Sequence, residues 1–230
     1  MSLQIQARPK PPPRQVKARK FQGPAWRDPV QFGAGYLALP GLSGQGAWTP
    51  DSADFDVLTG DLQIIACVAF NHVTTKPTID NIITKGNPGT AGEGSWAFRK
   101  AGGTRTLQFS WRESGGTIRT VSVVSSTSNA EFRPRWHKLE FVAATATGTI
   151  YISDEPPQTP VEAVTWALHG SDTDSVATDI ALGSADIWLG NRHENPNEWL
   201  DGKLYYVELR DGIGGNILLN PDFRWQTDLP

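Results

Sequence analysis

The sequence predicts an all-β protein, and three features of its 230 residues lead to that prediction. Residues that fit a pleated sheet surface (Val, Thr, Trp and Phe) are frequent, and Gly and Pro separate them into short segments. Apolar and polar residues alternate with a period of two within these segments. The segments recur about every 8–12 residues, a spacing typical of a sandwich of two antiparallel sheets.

The alternation can be followed in order from residue 35 onward, with turns at Ser114-Gly115-Gly116 and at Thr147-Gly148. One side of each such strand is expected to face a core. The core-facing residues predicted by this pattern are Leu62, Ile64, Ala66, Val68, Phe70, Leu107, Phe109, Trp111, Val121, Val123, His137, Leu139, Phe141, Ile150, Ile152, Tyr205, Val207 and Leu209.

The N-terminal segment differs in composition, and we predict two regions: an extended arm of residues 1–34 and a sandwich of residues 35–230. The first 33 residues hold seven basic residues, the single acidic residue Asp28 and six prolines. Pro-rich sequence favours an extended polyproline conformation. Since the whole chain has a net charge of −3, the remainder is acidic.

Three interpretations of the arm are open: a solvated tail, a nucleic-acid-binding segment and a clamp on a neighbouring subunit. We favour the clamp over nucleic-acid binding, because the arm is short and the rest of the chain is acidic. The predicted partner-binding residues are Arg8, Lys10, Arg14, Lys17, Arg19, Lys20, Phe21, Trp26 and Arg27.

Two stretches resemble a known fold family. Residues 135–142 (RWHKLEFV), followed by 148–154 (GTIYISD), are similar to the central hairpin of laminin-G-like (concanavalin A-like) jelly rolls. Residues 187–191 (IWLGN) and 199–207 (WLDGKLYYV) are similar to the closing strands of that family. The resemblance extends over about residues 35–225 and implies a two-sheet antiparallel jelly-roll sandwich carried on the arm.

The segment 205–222, which contains ELRDGIGG and NPD, further resembles minor tail proteins of phages that infect actinobacteria. This resemblance implies a virion structural protein, on the tail or as capsid decoration, that assembles in the host cytoplasm with other virion subunits as an oligomer. Such domains also serve adsorption to host surface glycans, so a carbohydrate-binding module is the alternative.

We do not expect an enzyme. Glycoside hydrolases need two suitably spaced carboxylates, and the nearest candidates, Glu194 and Glu198, flank a loop sequence, while Asp154 and Glu155 are adjacent. The four histidines are scattered and there is no Gly-x-Ser-x-Gly sequence. We therefore predict no catalytic residues.

Glycan binding requires aromatic rings beside amide and carboxylate groups, and the best local cluster is Trp188, His193, Asn195, Asn197 and Trp199. A position in the core is the competing interpretation for the two tryptophans. We expect no obligatory cofactor or metal. Ca²⁺ is the one candidate ion, since five loop residues offer oxygen ligands: Asp172, Asp174, Asn191, Asn195 and Asn197.

The single cysteine, Cys67, lies in an apolar run and is expected to be a small buried hydrophobic residue. The first twenty residues lack the apolar stretch of a secretory signal, and no run of about 18 apolar residues occurs. We therefore expect neither a signal peptide nor a membrane partner.

Overall fold

The computed structural model describes residues 32–33, 35–41, 45–56, 60–71, 78–90, 95–124, 133–174, 179–192 and 198–224. Within these ranges the chain forms strands and three short 3₁₀ turns, at Ala53–Phe55, Ala143–Thr145 and Val161–Ala163. No α-helix occurs in the described part, and no helix there could cross a membrane.

The described strands divide between two antiparallel sheets, here called sheet A and sheet B. Their bounds are β1 Phe32–Gly33, β2 Tyr36–Pro40, β3 Ala47–Thr49, β4 Leu62–Phe70, β5 Asp80–Lys85, β6 Trp96–Lys100, β7 Thr106–Arg112, β8 Ile118–Val124, β9 Arg135–Val142, β10 Thr147–Ser153, β11 Ala167–Thr173, β12 Ile187–Leu189, β13 Asp201–Asp211 and β14 Asn216–Leu219. Sheet A has the order β1-β2-β13-β4-β9-β10-β11, with β14 also paired to β13, and sheet B has the order β3-β12-β5-β6-β7-β8.

The core lies between the two sheets and is centred on aromatic rings. Phe141 of sheet A contacts Phe109 and Trp111 of sheet B, with ring centroids 4.9 and 4.6 Å apart. Burial of rings of this size is a large apolar contribution to stability. The predicted alternation is confirmed on β4, where residues 62, 64, 66, 68 and 70 all belong to this core.

Two local predictions were wrong. The β9–β10 connection is the turn Ala143–Ala146, in which Ala146 adopts a left-handed conformation, rather than Thr147-Gly148. Gly148 lies within β10, where an added Cβ would come 2.5 Å from Val121 Cγ2, so close packing between the sheets requires glycine there. Tyr205 was predicted to face the core, but a bulge follows Leu204 in β13. Leu204 therefore faces the core, and Tyr205 packs against a different cluster.

That second cluster covers the outer face of sheet A and contains Ile65, Cys67, Trp136, Val164 and Tyr206. The segment 155–166 lies over it: Trp136 Nε1 donates to the Pro156 carbonyl at 3.2 Å. Cys67 is fully buried here, as predicted. Burial raises the pKa of its thiol far above the ordinary value, so it is unreactive at neutral pH.

The edge strands β8 of sheet B and β11 of sheet A are tied together by side chains. Asp172 of β11 accepts a hydrogen bond from the Ser122 backbone N–H of β8 at 2.7 Å, and Arg119 pairs with Asp174 at 3.3 Å. A backbone group of an edge strand is thereby satisfied, which reduces the tendency of such a strand to pair with another chain.

Candidate functional site

The outer face of sheet B carries polar side chains on strands β7 and β8. Gln108 and Ser110 of β7 alternate with the core residues Leu107, Phe109 and Trp111, so they point away from the core. The same alternation places Thr120 and Ser122 of β8 on this outer face. Ser110 Oγ and Thr120 Oγ1 are 2.9 Å apart, and Gln108 Nε2 donates to Ser122 Oγ at 3.2 Å. We call these four residues the polar floor.

Arg99 lies beside the polar floor. It follows the core residue Phe98 on β6, so its side chain leaves the sheet on the outer face, and one of its terminal nitrogens donates to Ser110 Oγ at 2.9 Å. Burial lowers the pKa of Arg99; the charge of Glu198 opposes this shift and that of Arg192 adds to it. The guanidinium group is still charged at neutral pH because arginine starts from a very high pKa.

The connection between β12 and β13 lies over the neighbouring strand β5. The Asn191 carbonyl accepts from Thr84 Oγ1 at 3.2 Å, and the Glu198 carbonyl accepts from Asn81 Nδ2 at 2.9 Å. The connection begins at Gly190, whose φ of 75° favours glycine and where a Cβ would come 2.2 Å from Leu39 Cδ1. The close turn at Gly190 therefore directs the following residues across the sheet.

This connection brings a second arginine to the face. Arg192 pairs with the Glu198 carboxylate at 2.6 Å, and both side chains are mostly buried. Burial also lowers the pKa of Arg192, with the Glu198 charge opposing the shift. The Nε atoms of Arg99 and Arg192 are buried, and neither has a hydrogen-bond partner within the described residues. Among the described residues, two guanidinium groups thus lie near one carboxylate, which gives this part of the face an excess of positive charge.

Two tryptophans lie at the far side of the same face. Trp48 of β3 and Trp188 of β12 stack with ring centroids 6.0 Å apart. Trp188 is only 5% exposed, so its ring offers little surface to a ligand in this structure. Trp199 is half-buried and lies in the β12–β13 connection.

The structure therefore brings Trp188 and the connection that contains Trp199 to one face of sheet B. The other three predicted glycan-binding residues, His193, Asn195 and Asn197, belong to the same connection but lie outside the described residues. All nine predicted arm residues, from Arg8 to Arg27, also lie outside them. Both sets stay predictions, as does the boundary between residues 34 and 35.

Sequence reasoning missed Arg99 and Arg192 as site residues. Gln108 and Ser110 alternate with the predicted core-facing residues of their strand, so the pattern indicates only that they face away from the core. The signal available in the sequence was the alternation on the preceding strand, where Arg99 follows an apolar residue and therefore faces outward like Gln108 and Ser110. The sequence could not show that the β12–β13 connection, about ninety residues later, lies over the neighbouring strand β5 and brings Arg192 to the same face.

The oxygen-bearing residues considered for Ca²⁺ have structural partners where they are described. Asp172 accepts the Ser122 N–H, Asp174 pairs with Arg119, and the Asn191 side chain accepts the Arg192 backbone N–H at 2.7 Å. Within the described ranges no group of three or more His, Cys, Asp or Glu residues could hold a metal ion. Asn195 and Asn197 lie outside those ranges.

The carboxylates considered for hydrolysis are engaged in a similar way. Glu198 pairs with Arg192, Asp154 pairs with Arg135 at 2.5 Å, and Glu155 accepts the Thr165 N–H at 3.1 Å. Glu194 lies outside the described residues. The described part of the face offers one carboxylate held by a cation, an arrangement suited to binding polar groups rather than to a pair of catalytic acids.

Neither the protein-family models nor the curated proteins include a match to this chain. Solved structures do match. The CBM40 domain of the Ruminococcus gnavus IT-sialidase, bound to α2,3-sialyllactose, has a TM-score of 0.51 at 12% identity, with 77% of this chain and 90% of that chain covered. Domains LG4-5 of the mouse laminin α1 chain have a TM-score of 0.48 at 12% identity, with 84% and 48% covered.

At these identities the likeness shows the fold alone. Together with the two-sheet topology, the likeness to the CBM40 domain confirms the two-sheet antiparallel jelly-roll sandwich that was predicted from the sequence. The more specific resemblance to phage tail proteins stays a prediction.

Proposed function

We propose that this protein is a non-catalytic carbohydrate-binding module and that the outer face of sheet B binds a sugar carrying an acid group. The observation that carries the proposal is the cluster of Arg99 and Arg192 beside the polar floor. Guanidinium groups bind carboxylates through paired, charge-assisted hydrogen bonds. Hydroxyl and amide side chains supply the partners that sugar hydroxyls need.

The partial burial of the two arginines supports the same function. A cation that is already withdrawn from water loses less hydration when a ligand arrives, and its attraction to an anion is less screened. Because Glu198 is the one carboxylate paired with these guanidinium groups among the described residues, an incoming carboxylate would balance the charge of that part of the site. The R. gnavus module was solved with α2,3-sialyllactose bound, which makes sialylated glycans the first panel to test.

The test is a glycan array followed by titration of the best acidic ligand. Arg99→Gln and Arg192→Gln should each weaken binding about ten- to a hundredfold, since a hydrogen bond to a charged group contributes roughly 1.5–3 kcal/mol. Arg133→Gln is the matched control, because Arg133 is exposed and precedes β9 in sheet A. If neutral glycans bind as well as acidic ones, or if both site variants keep the affinity of the unmodified protein, the arginines do not form the site.

The same titration addresses catalysis. The ligand should be recovered uncleaved after prolonged incubation with the protein. Turnover that disappears in Glu194→Gln or Glu198→Gln would instead identify a hydrolase and overturn the non-enzymatic proposal.

A role as a virion structural protein is compatible with glycan binding, because a tail or capsid protein that adsorbs to a host needs both an attachment segment and a receptor site. We keep this role and the virion location as a hypothesis. Its support is the sequence resemblance of residues 205–222 and the basic, Pro-rich composition of residues 1–34. It is tested separately through the arm.

A further inference from the structure

The outer face of sheet B is closed on one side. The β12–β13 connection places the Asn191 and Glu198 carbonyls directly on Thr84 and Asn81 of β5. Thr84, Asn81 and the neighbouring Ala97 of β6 are consequently fully buried. A ligand held at Arg99 and Arg192 therefore cannot extend over β5, because the protein's own chain already occupies that position.

Among the described residues, the opposite side of the face is open above β7 and β8, with β11 of sheet A beside the β8 edge. Gln108, Thr120 and Ser122 are partly exposed, and β8 is the last strand of sheet B. Neighbouring strands are about 4.8 Å apart, so the floor extends about 10 Å from β6 to β8. Ser and Thr side chains are short and do not rise above the sheet, so a ligand can lie along the floor and pass over the edge.

The chemistry also changes from the closed side to the open side. Arg99 and Arg192 are at the closed side, and the four residues of the polar floor are neutral. Arg112, the next outward-facing residue on β7, donates to the Pro88 carbonyl at 2.9 Å. At the two ends of β8, Ile118 is 50% exposed and Val124 is 71% exposed. Both share a face with Thr120 and Ser122, since these residues alternate along the strand. The open side thus combines hydroxyl and amide groups with exposed aliphatic groups, which suits neutral sugar rings with their polar edges and apolar C–H faces.

We propose, building on the proposed function, that the site binds acidic oligosaccharides end-on. The acid-bearing residue is the terminal one and sits at Arg99 and Arg192, beside Asn191 and Glu198. The neutral residues that follow lie across β7 and β8 and leave the protein over the β8 edge. Gln108 and Ser122 are then specificity-determining residues for the second and third sugars, and a glycan whose acid groups are only internal is excluded by the closed side.

The experiment compares ligands of the same acid and different length by NMR titration. Free N-acetylneuraminic acid is paired with α2,3-sialyllactose, and free glucuronic acid with a trisaccharide that ends in glucuronic acid. Hyaluronan provides acid groups at internal positions. We expect the better trisaccharide to bind at least tenfold more tightly than its own monosaccharide, and hyaluronan to bind at least tenfold more weakly than that trisaccharide.

Two variants locate the path of the chain. Ser122→Tyr should reduce the affinity for the trisaccharide at least tenfold, and by more than it reduces the affinity for the monosaccharide. Ser171→Tyr is the matched control, because Ser171 is an exposed serine on the edge strand of the other sheet. Gln108→Ala is the second variant and should likewise weaken trisaccharide binding more than monosaccharide binding. It provides the test if circular dichroism shows that Ser122→Tyr is misfolded.

The outcomes separate the two proposals. If no acidic ligand binds at all, the proposed function fails and the end-on arrangement fails with it. If monosaccharide and trisaccharide bind equally, or if hyaluronan binds as well as the trisaccharide, the site binds acidic sugars but the end-on arrangement is wrong. Unchanged trisaccharide affinity in folded Ser122→Tyr or in Gln108→Ala likewise overturns it.

Discussion

His137 is an ionisable side chain buried between the sheets. It alternates with the core residues Leu139 and Phe141 on β9, and its ring meets the Phe70 ring edge-on at 6.1 Å. Both ring nitrogens are buried without a hydrogen-bond partner in the described part of the chain. Burial, together with the charges of Arg135 and His169, lowers the pKa of His137 to about 3.

This burial makes stability depend on pH. The unfolded chain binds a proton at His137 near pH 6.5, whereas the native protein does not until about pH 3, so protons favour the unfolded state between these values. The free energy of unfolding should therefore fall as the pH drops below 6.5, by up to about 1.4 kcal/mol per pH unit from this residue. In His137→Phe the loss between pH 7 and 5, measured by urea unfolding, should be smaller by about 2 kcal/mol.

Ile150→Val serves as the control for that measurement. It alters the same core without a titratable group, so it should lower stability while keeping the pH dependence of the unmodified protein. If His137→Phe keeps the same pH dependence as well, His137 does not titrate as its burial implies.

At the scale of single residues, the sequence could predict burial but not the partners that decide function. The pattern on β9 correctly placed His137 toward the core, because alternation is a local property of a strand. It could not identify Arg99 as a binding residue. The position of Arg99 is local, but its relation to Arg192 depends on a chain crossing that has no local signature.

At the scale of elements, Arg224 makes several of the contacts that hold the segment 155–166 on sheet A. Arg224 donates to the Pro157 and Thr159 carbonyls at 3.1 and 2.9 Å and is fixed by Asp222 at 2.6 and 2.8 Å. Its guanidinium group also lies over the Tyr206 ring, 4.6 Å from the centroid. A planar group with several donors is required to make these contacts together.

Replacing Arg224 should therefore loosen this segment even when the charge is kept. We expect Arg224→Lys to lower the free energy of unfolding by about 1–2 kcal/mol and Arg224→Ala by about 3 kcal/mol. Hydrogen exchange should increase within residues 156–166 in both variants. Arg133→Lys, the same change at an exposed position, should stay within about 0.5 kcal/mol of the unmodified protein. Unaltered exchange in Arg224→Ala would mean that other contacts hold the segment.

Sequence patterns predicted the long strands better than the connections between them. The β9–β10 hairpin was expected from an apolar strand, a turn and a second apolar strand, and this pairing is observed. The sequence pattern predicts the turn too late, because Gly148 is typical of a turn, whereas close packing of the opposite sheet requires this glycine within β10. The bulge at Tyr205 likewise arises from pairing with β4, which is remote in sequence.

At the scale of the whole molecule, charge is unevenly distributed. Seven of the 21 basic residues belong to the first 33 positions, so the rest of the chain is acidic overall. Opposite charges in separate regions favour distinct partners, because long-range electrostatic attraction selects surfaces of opposite sign. A basic arm that attaches to an acidic neighbouring subunit would leave the face of sheet B available for glycan.

The virion hypothesis makes this separation testable by limited proteolysis. Ordering an extended arm costs about 1–2 kcal/mol of backbone entropy per residue, so an arm that clamps a partner must bury a large surface on it. Trypsin should cleave between Arg14 and Lys20 in the purified protein but not in the particle into which it assembles. Glycan affinity should be the same before and after cleavage, since Arg99, Arg192 and the polar floor all lie beyond residue 35. Equal cleavage of the free protein and the particle would contradict the clamp hypothesis. A loss of glycan affinity on cleavage would show that the arm and the binding face act together.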